Sequence, residues 1–251
     1  MKPLITIITV VYNNVGYIGE AIESVLKTSS NDIQYIIIDG GSNDGTIEIV
    51  RAYGNKISKF ISEPDKGIYD AMNKGLAHAD GQFVAYINSD DYYTEGALGK
   101  VIDSLKEINP DILYADLDYI NNDRTTKRCW RPGKFKADKL RDLWIPPHPT
   151  TFIRRETFIS LGGFNLFFKL AADYDLLLRG LSATEKVYYL NTVLVKMRLG
   201  GATNVSWVNI FKQNIEISKS YKLIFHKYPI KQFSLKFFNR FVQIFNAKFN
   251  L

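Results

Sequence analysis

The chain of 251 residues is 46% hydrophobic and 14% aromatic, enough apolar material to bury one substantial core, and one domain with a helical appendage is the expectation. Its single cysteine, Cys129, excludes an intrachain disulfide, and the N-terminus lacks the charged-then-apolar layout of a signal peptide, so a reducing cytoplasm is expected. The net charge of +6 is concentrated at one end: Lys219, Lys222, Lys227, Lys231, Lys236, Arg240 and Lys248 all follow the last acid, Glu216, and leave the rest near neutral. That balance argues against a nucleic-acid-binding face on the body and moves any anionic partner to the tail.

Residues 4–12 form a β-rich run, and residues 17–27 place Ile18, Ala21, Ile22, Val25 and Leu26 at helical intervals. The alternation continues with a strand at 34–39, a helix at 46–53, a short strand near Phe60 and Ile61, and a helix at 68–79. An apolar run, 82–87, then ends in Asn88-Ser89-Asp90-Asp91, and 111–120 resumes the strand pattern. Such alternation with short links predicts an α/β fold of right-handed βαβ units, with a mostly parallel, Rossmann-like sheet flanked by helices on both faces. From Asn121 the alternation breaks down, and segments 121–124, 130–133 and 146–149 read as loops that cover a site. Residues 173–181 and 207–221 read as helices. A soft boundary near Lys222 separates a domain of residues 1–222, its halves meeting at 120/121, from a tail of residues 223–251. No apolar run reaches the ~18–20 residues that span a bilayer, so the chain reads as soluble or peripheral.

Chemistry gathers at the predicted strand ends. Adjacent carboxylates at Asp90 and Asp91 are hard oxygen ligands of the kind Mg²⁺ or Mn²⁺ takes, although an Asp-Asp pair after a strand also serves as a helix cap. Asp39 ends another strand and is followed by small residues through Gly45, which let a flat ligand approach the backbone or make an ordinary βα turn capped by Ser42 or Asp44. Tyr12, after the first strand, stacks on a base or fills the core. All three strand ends fall on one edge of the predicted sheet, as a nucleotide site requires.

Four motifs in order carry a resemblance: Thr9-Val10-Val11-Tyr12-Asn13, the run from Ile38 to Thr46, Asp65-Lys66-Gly67-Ile68-Tyr69-Asp70-Ala71-Met72-Asn73-Lys74-Gly75, and Asn88-Ser89-Asp90-Asp91. The series resembles glycosyltransferase family 2 with the GT-A fold, of the bacterial capsule, exopolysaccharide or O-antigen type, over residues 4 to about 200. The resemblance implies that Thr9, Val11, Tyr12, Asn13, Asp39, Lys66, Asn88 and Ser89 bind the nucleotide, with Tyr12 on uracil and Asp39 accepting from its N3–H. It places the Asp-x-Asp element on Asn88-Ser89-Asp90, with Asp90 the ligand of Mn²⁺ or Mg²⁺ and Asp91 its neighbour or a second ligand. Asn88 departs from the pattern and adds no charge. Asp70 and Asn73, at i and i+3 on one helix face, are implied donor-sugar contacts, with a solvated helix face as the alternative. The segment from Ala171 to Arg179 resembles the family's acidic helix start, which makes Asp173 the base of an inverting transfer, or else an N-cap. His148 opens a segment similar to the strand beside the family's acceptor site and is assigned to the diphosphate or acceptor, a structural role being the alternative.

The reading is therefore a non-processive transferase moving one sugar from a UDP-sugar to a saccharide or lipid-linked acceptor, since the Gln-x-x-Arg-Trp sequence of processive members is absent. A sugar-nucleotide pyrophosphorylase is the competing enzyme, but Asn13-Asn14-Val15-Gly16 is not its glycine-rich basic loop; a non-enzymatic membrane scaffold is the third reading. In the tail, aromatics from Phe233 onward recur every three or four residues opposite polar ones. That pattern suits an anionic membrane interface at the inner face of the cell membrane, or a helix packed on the domain or in a homodimer.

Overall fold

Both faces of the first strands are covered, which is why their sequences run apolar without a break instead of alternating. In the computed structural model, which describes residues 2–28, 30–200, 207–230 and 232, β1 (Ile5–Val11) is buried along its whole length. It lies between β2 (Ile33–Asp39) and β4 (Phe83–Asn88), and β3 (Lys59–Ser62) pairs outside β2, all in parallel. The links are α1 (Ile18–Leu26), α2 (Thr46–Ala52) and α3 (Ile68–Ala77), each within two residues of its expected bounds.

Beyond β4 the sheet continues through the short antiparallel β8 (Phe152–Arg154) to β6 (Ile112–Ile120), which returns to the direction of β4 and pairs in parallel with β9 (Val187–Arg198). The two-residue β5 (Tyr92–Tyr93) closes on β9, and β7 (Thr126–Trp130) forms a hairpin with β6. Six of these nine strands share one direction, so the expected mostly parallel sheet is present. After Asn121, where the alternation in sequence breaks down into the expected loops 121–124, 130–133 and 146–149, the chain is more regular than its sequence suggests. Trp130, read as a corner, ends β7, because a reversal at 121–125, with Arg124 at φ 64°, folds that segment back on β6. Further elements are α4 (Ala97–Ile108), α5 (Arg155–Ser160), α6 (Ala172–Ala183) and α7 (Trp207–Phe225), which runs past Lys222 without a break.

Side chains from α1, α2 and α4 bury one face of the sheet, and α3, α5, α6 and Tyr221 of α7 bury the other. The fit of α3 is tight. A Cβ on Gly75 would stand 2.5 Å from Cγ2 of Ile8, so only glycine lets the helix lie this close to β1. Among the described residues no helix is long and apolar enough to cross a membrane.

Candidate active site

Sheet order 3-2-1-4 reverses direction between β1 and β4, and open α/β sheets bind ligands at the carboxyl ends of strands beside such a reversal. Register brings the predicted strand ends together there: Val11 pairs with Asp39, Asp39 with Ser62, and Val10 with Asn88. The period-2 pleat sends Thr9 and Val11 inward, however. Thr9 is fully buried with Oγ1 2.9 Å from the Tyr35 hydroxyl, and Val11 joins the same apolar layer, so neither side chain faces a nucleotide. Tyr12, one residue on, is 63% exposed. It is a surface ring, not core filling, and it lies over Gly40, where a Cβ would come within 3.3 Å of the ring and 2.5 Å of the Asp65 carboxylate.

The two loops beside this ring are laced together. Asn13, held at φ 47°, donates its backbone N–H to Ser42 Oγ at 2.7 Å and accepts from the N–H of Asn43 on Oδ1 at 2.9 Å. The Asn14 N–H reaches Thr46 Oγ1 and the Val15 N–H reaches Asp44 Oδ2. Asp39 organises the lacing from below: it has no exposed surface, and its carboxylate accepts from the Gly41 and Ser42 N–H groups, the Ser62 hydroxyl and, through a short contact, the Ser42 hydroxyl. The acceptor expected to meet uracil is thus occupied by its own loop.

At the end of β4 the two carboxylates separate in role. Asp91 is 1% exposed and accepts from Asn88 Nδ2 at 3.1 Å and from the Arg198 N–H at 3.0 Å, so it holds the turn together; of its two expected roles, the neighbour's is the one this geometry fits. Burial, and then the charge of Asp90, push its carboxyl well above the usual range. Ser89 is buried and accepts from Asn14 Nδ2 at 2.7 Å, which ties this turn to the first loop. Asp90 stays half-exposed, and burial raises its pKa against the opposing pull of Arg198. The sequence reading did not single out Arg198. Its guanidinium donates to the Asp90 carbonyl at 2.9 Å, pairs with Glu20 and lies 4.5 Å from the Tyr17 ring centroid.

Across the edge, the expected donor-sugar contacts are partly committed. Asp70 accepts from the Lys66 N–H at 3.0 Å, which orders the entry to α3 and leaves the Lys66 side chain exposed. Asn73 accepts from the Phe164 N–H and donates to the Phe164 carbonyl, both at 2.9 Å, so its amide is committed to the backbone of that one residue. His148 opens a turn at His148–Thr150, with its ring against Tyr86 (5.7 Å) and Phe164 (5.6 Å). Burial lowers its pKa, with partial relief from the Asp173 charge, so the imidazole is neutral at pH 7.

Asp173 lies in the first turn of α6 behind the N-cap residue Ala171, and it is half-exposed, so the N-cap alternative does not hold. The Tyr69 hydroxyl donates to its Oδ1 at 3.0 Å, and burial, then Asp173 itself, raise the Tyr69 pKa so that it stays a donor. Glu216 of α7 instead holds the approach to α6: its carboxylate accepts from the N–H groups of Lys169, Leu170 and the N-cap residue Ala171 at 2.8 to 3.1 Å, a negative charge at the positive end of the helix. Glu216 carried no sequence signal beyond being the last acid in the chain.

Residues 6–165 match the model of the family described as Glycosyl transferase family 2. A PGL/p-HBAD biosynthesis glycosyltransferase of Mycobacterium bovis (strain BCG / Pasteur 1173P2) is 28% identical over 209 residues, 80% of this chain and 80% of that protein. An uncharacterised glycosyltransferase of Rickettsia typhi is 30% identical over 210 residues, 80% of this chain and 65% of its own length. Among solved structures, S. aureus TarS 1-349 in complex with UDP superposes with a TM-score of 0.67 at 21% identity, over 88% of this chain and 65% of that chain. The mannosyltransferase PcManGT from Pyrobaculum calidifontis in complex with GDP-Man and Mn2+ gives a TM-score of 0.67 at 15% identity, over 90% of this chain and 65% of that chain. The chain thus spans about two thirds of the length of these structures, and the likeness is one of fold, the GT-A type.

Proposed function

Because the chain belongs to glycosyl transferase family 2 and is a glycosyltransferase, we propose that it moves one sugar, with inversion, from a UDP-sugar to a saccharide or lipid-linked acceptor of surface-polysaccharide biosynthesis. One observation carries the reading: Asp39 and Asp91 are taken up by internal hydrogen bonds, while Asp90 at the end of β4 and Asp173, which reaches Tyr69 in the first turn of α3, remain half-exposed. Two half-exposed carboxylates, one at the end of β4 and one at the start of α6, suit a reaction that needs one charge near the diphosphate and one base near the acceptor. The UDP donor is supported by the TarS complexes with UDP and UDP-GlcNAc.

A divalent ion fits the donor set. Among the described residues the Asp90 carboxylate meets its own backbone N–H and the pull of the Arg198 charge, which do not offset its burial, and a half-buried carboxylate so placed is an anion that a cation would relieve. The described residues contain no group of three or more acid, histidine or cysteine side chains that would form a closed cage. One protein carboxylate, completed by oxygens of the nucleotide, is the usual manner of holding Mg²⁺ or Mn²⁺. Bound there, the ion supplies neutralisation of the charge that grows on the departing diphosphate.

The rest falls to the chain itself. The exposed Tyr12 ring offers a face to the base over Gly40, the Asp39-laced loop fixes where that ring stands, and Lys66 faces the phosphates. Asp173, oriented by the Tyr69 hydroxyl, takes the acceptor proton as its oxygen attacks the anomeric carbon. Neutral His148 stands beside it with hydrogen-bonding capacity for the acceptor. The test is calorimetric titration with Mn²⁺ and UDP. Asp90→Ala should abolish metal-dependent UDP binding and leave the thermal midpoint in place, whereas unchanged affinity would move the ion elsewhere.

A further inference from the structure

The inner side of α7 is fully committed. Glu216 holds the residues that lead into α6, Ser220 donates to Asp175 Oδ1 at 2.8 Å, and Tyr221 is fully buried with its hydroxyl on the Arg141 carbonyl at 3.1 Å. The outer side carries Phe211 (63% exposed), Ile215, and Leu223 (66% exposed), with the exposed Lys212, Lys219 and Lys222 set among them at three- and four-residue spacing. Phe167, from the loop before α6, extends the stripe, with Lys219 Nζ 5.3 Å from its ring centroid. Past the helix Tyr228 and Ile230 are exposed beside Lys227, and Lys222 sits 4.6 Å from the Tyr228 ring. Glu216, the one acid of α7, points inward, so the outer stripe is apolar and basic throughout.

Charge selects what covers such a face. A second copy laid on it would oppose Lys212, Lys219 and Lys222 with the same three cations, and residues 233–251 bring Lys236, Arg240 and Lys248 with no acid. An anionic bilayer surface offers the opposite charge to the lysines and an apolar layer to Phe167, Phe211 and Leu223. We propose that the outer stripe of α7, with Phe167, seats the enzyme on an anionic membrane. This rests on the glycosyltransferase reading and deepens it. The helix that touches the membrane is the one whose Glu216 holds the start of α6, so Asp173 is carried at a set attitude to the surface where a lipid-linked acceptor resides.

The experiment compares full-length wild type with the double variant Phe211→Glu, Leu223→Glu in sedimentation with phosphatidylcholine vesicles, with and without phosphatidylglycerol. Wild type should sediment only with the anionic vesicles and less at high salt, and the variant should lose binding by about ten-fold or more. Its thermal midpoint and its Mn²⁺–UDP titration should match wild type, since both side chains are exposed and away from the site. Failure of wild type to sediment overturns the proposal, as does a variant that sediments like wild type. A wild-type dimer that the variant breaks would show that a second copy covers the face. Loss of binding only in Lys236→Glu, Arg240→Glu would assign the contact to the tail. Vesicle binding by a protein that takes no nucleotide would sink the transferase reading alone, so the two can fail separately.

Discussion

The two sides of the site are stiffened in different ways. On the proposed nucleotide side, the loops after β1, β2 and β4 are laced to one another by side chains that sit in those same loops: Asn13, Asn14, Ser42, Asp44, Thr46 and Ser89, over the buried Asp39. On the proposed acceptor side, Asp173 is placed by residues from elsewhere: Tyr69 of α3, whose ring stacks on Phe164, and Glu216 of α7, which holds the residues leading into α6. A site assembled from its own loops is rigid wherever the sheet is formed. One assembled from distant helices depends on their docking, and it can be disturbed without touching the donor.

The largest expected effect tests that separation. Asp173→Asn preserves shape but cannot take a proton, so transfer should fall by roughly 10²–10⁴-fold while UDP affinity stays unchanged. Wild-type turnover in this variant would return Asp173 to a structural role. Next is Asp39→Ala, which takes the shared acceptor from the Gly41 and Ser42 N–H groups and from the Ser42 and Ser62 hydroxyls and leaves the buried donors of Ser42 unpaired, at a cost of about 1–3 kcal/mol in stability, and UDP affinity should fall with it. Chemical denaturation beside a UDP titration measures both; an unaltered UDP affinity would mean that the lacing does not shape the base site.

Glu216→Ala probes the other side. It removes a charged acceptor from three backbone N–H groups, so stability should drop by about 1.5–3 kcal/mol and turnover should decline, with UDP affinity preserved. Were UDP binding to weaken as much as turnover, the two sides would not be independent. Smallest in structural consequence is Tyr12→Ala, since the ring is mostly exposed: stability should hold, and UDP affinity should fall by about 1–3 kcal/mol of lost stacking. A thermal shift with and without UDP separates the two.

Much of the nucleotide side was legible because its signals are local. Unbroken apolar runs marked β1, β2 and β4, helical spacing marked α1 to α3, and each motif sat at the carboxyl end of its strand. Even so, the pleat decides more than the motif: Thr9 and Val11 belong to the nucleotide motif yet face the core, because alternate residues of a strand share a face with Ile5 and Ile7. The acceptor side was less readable. The half-exposed β9 and the short β5 and β7 have no strong apolar period, and they form because β6 gives them a partner.

The sequence by itself determined the order of strands and helices from β1 to β4, the edge on which their motif residues gather, and the small set of acids proposed to act there. Only the tertiary structure decided which of those acids are free. Asp90 and Asp91 are neighbours of the same chemistry, and they differ because the N–H of Arg198, 107 residues away, occupies the second. Asp173 is placed by Glu216, a residue of a different helix that docks only once the sheet face beneath it exists. A residue's type is local, but whether its lone pairs are already taken depends on what long-range packing brings within about 3 Å.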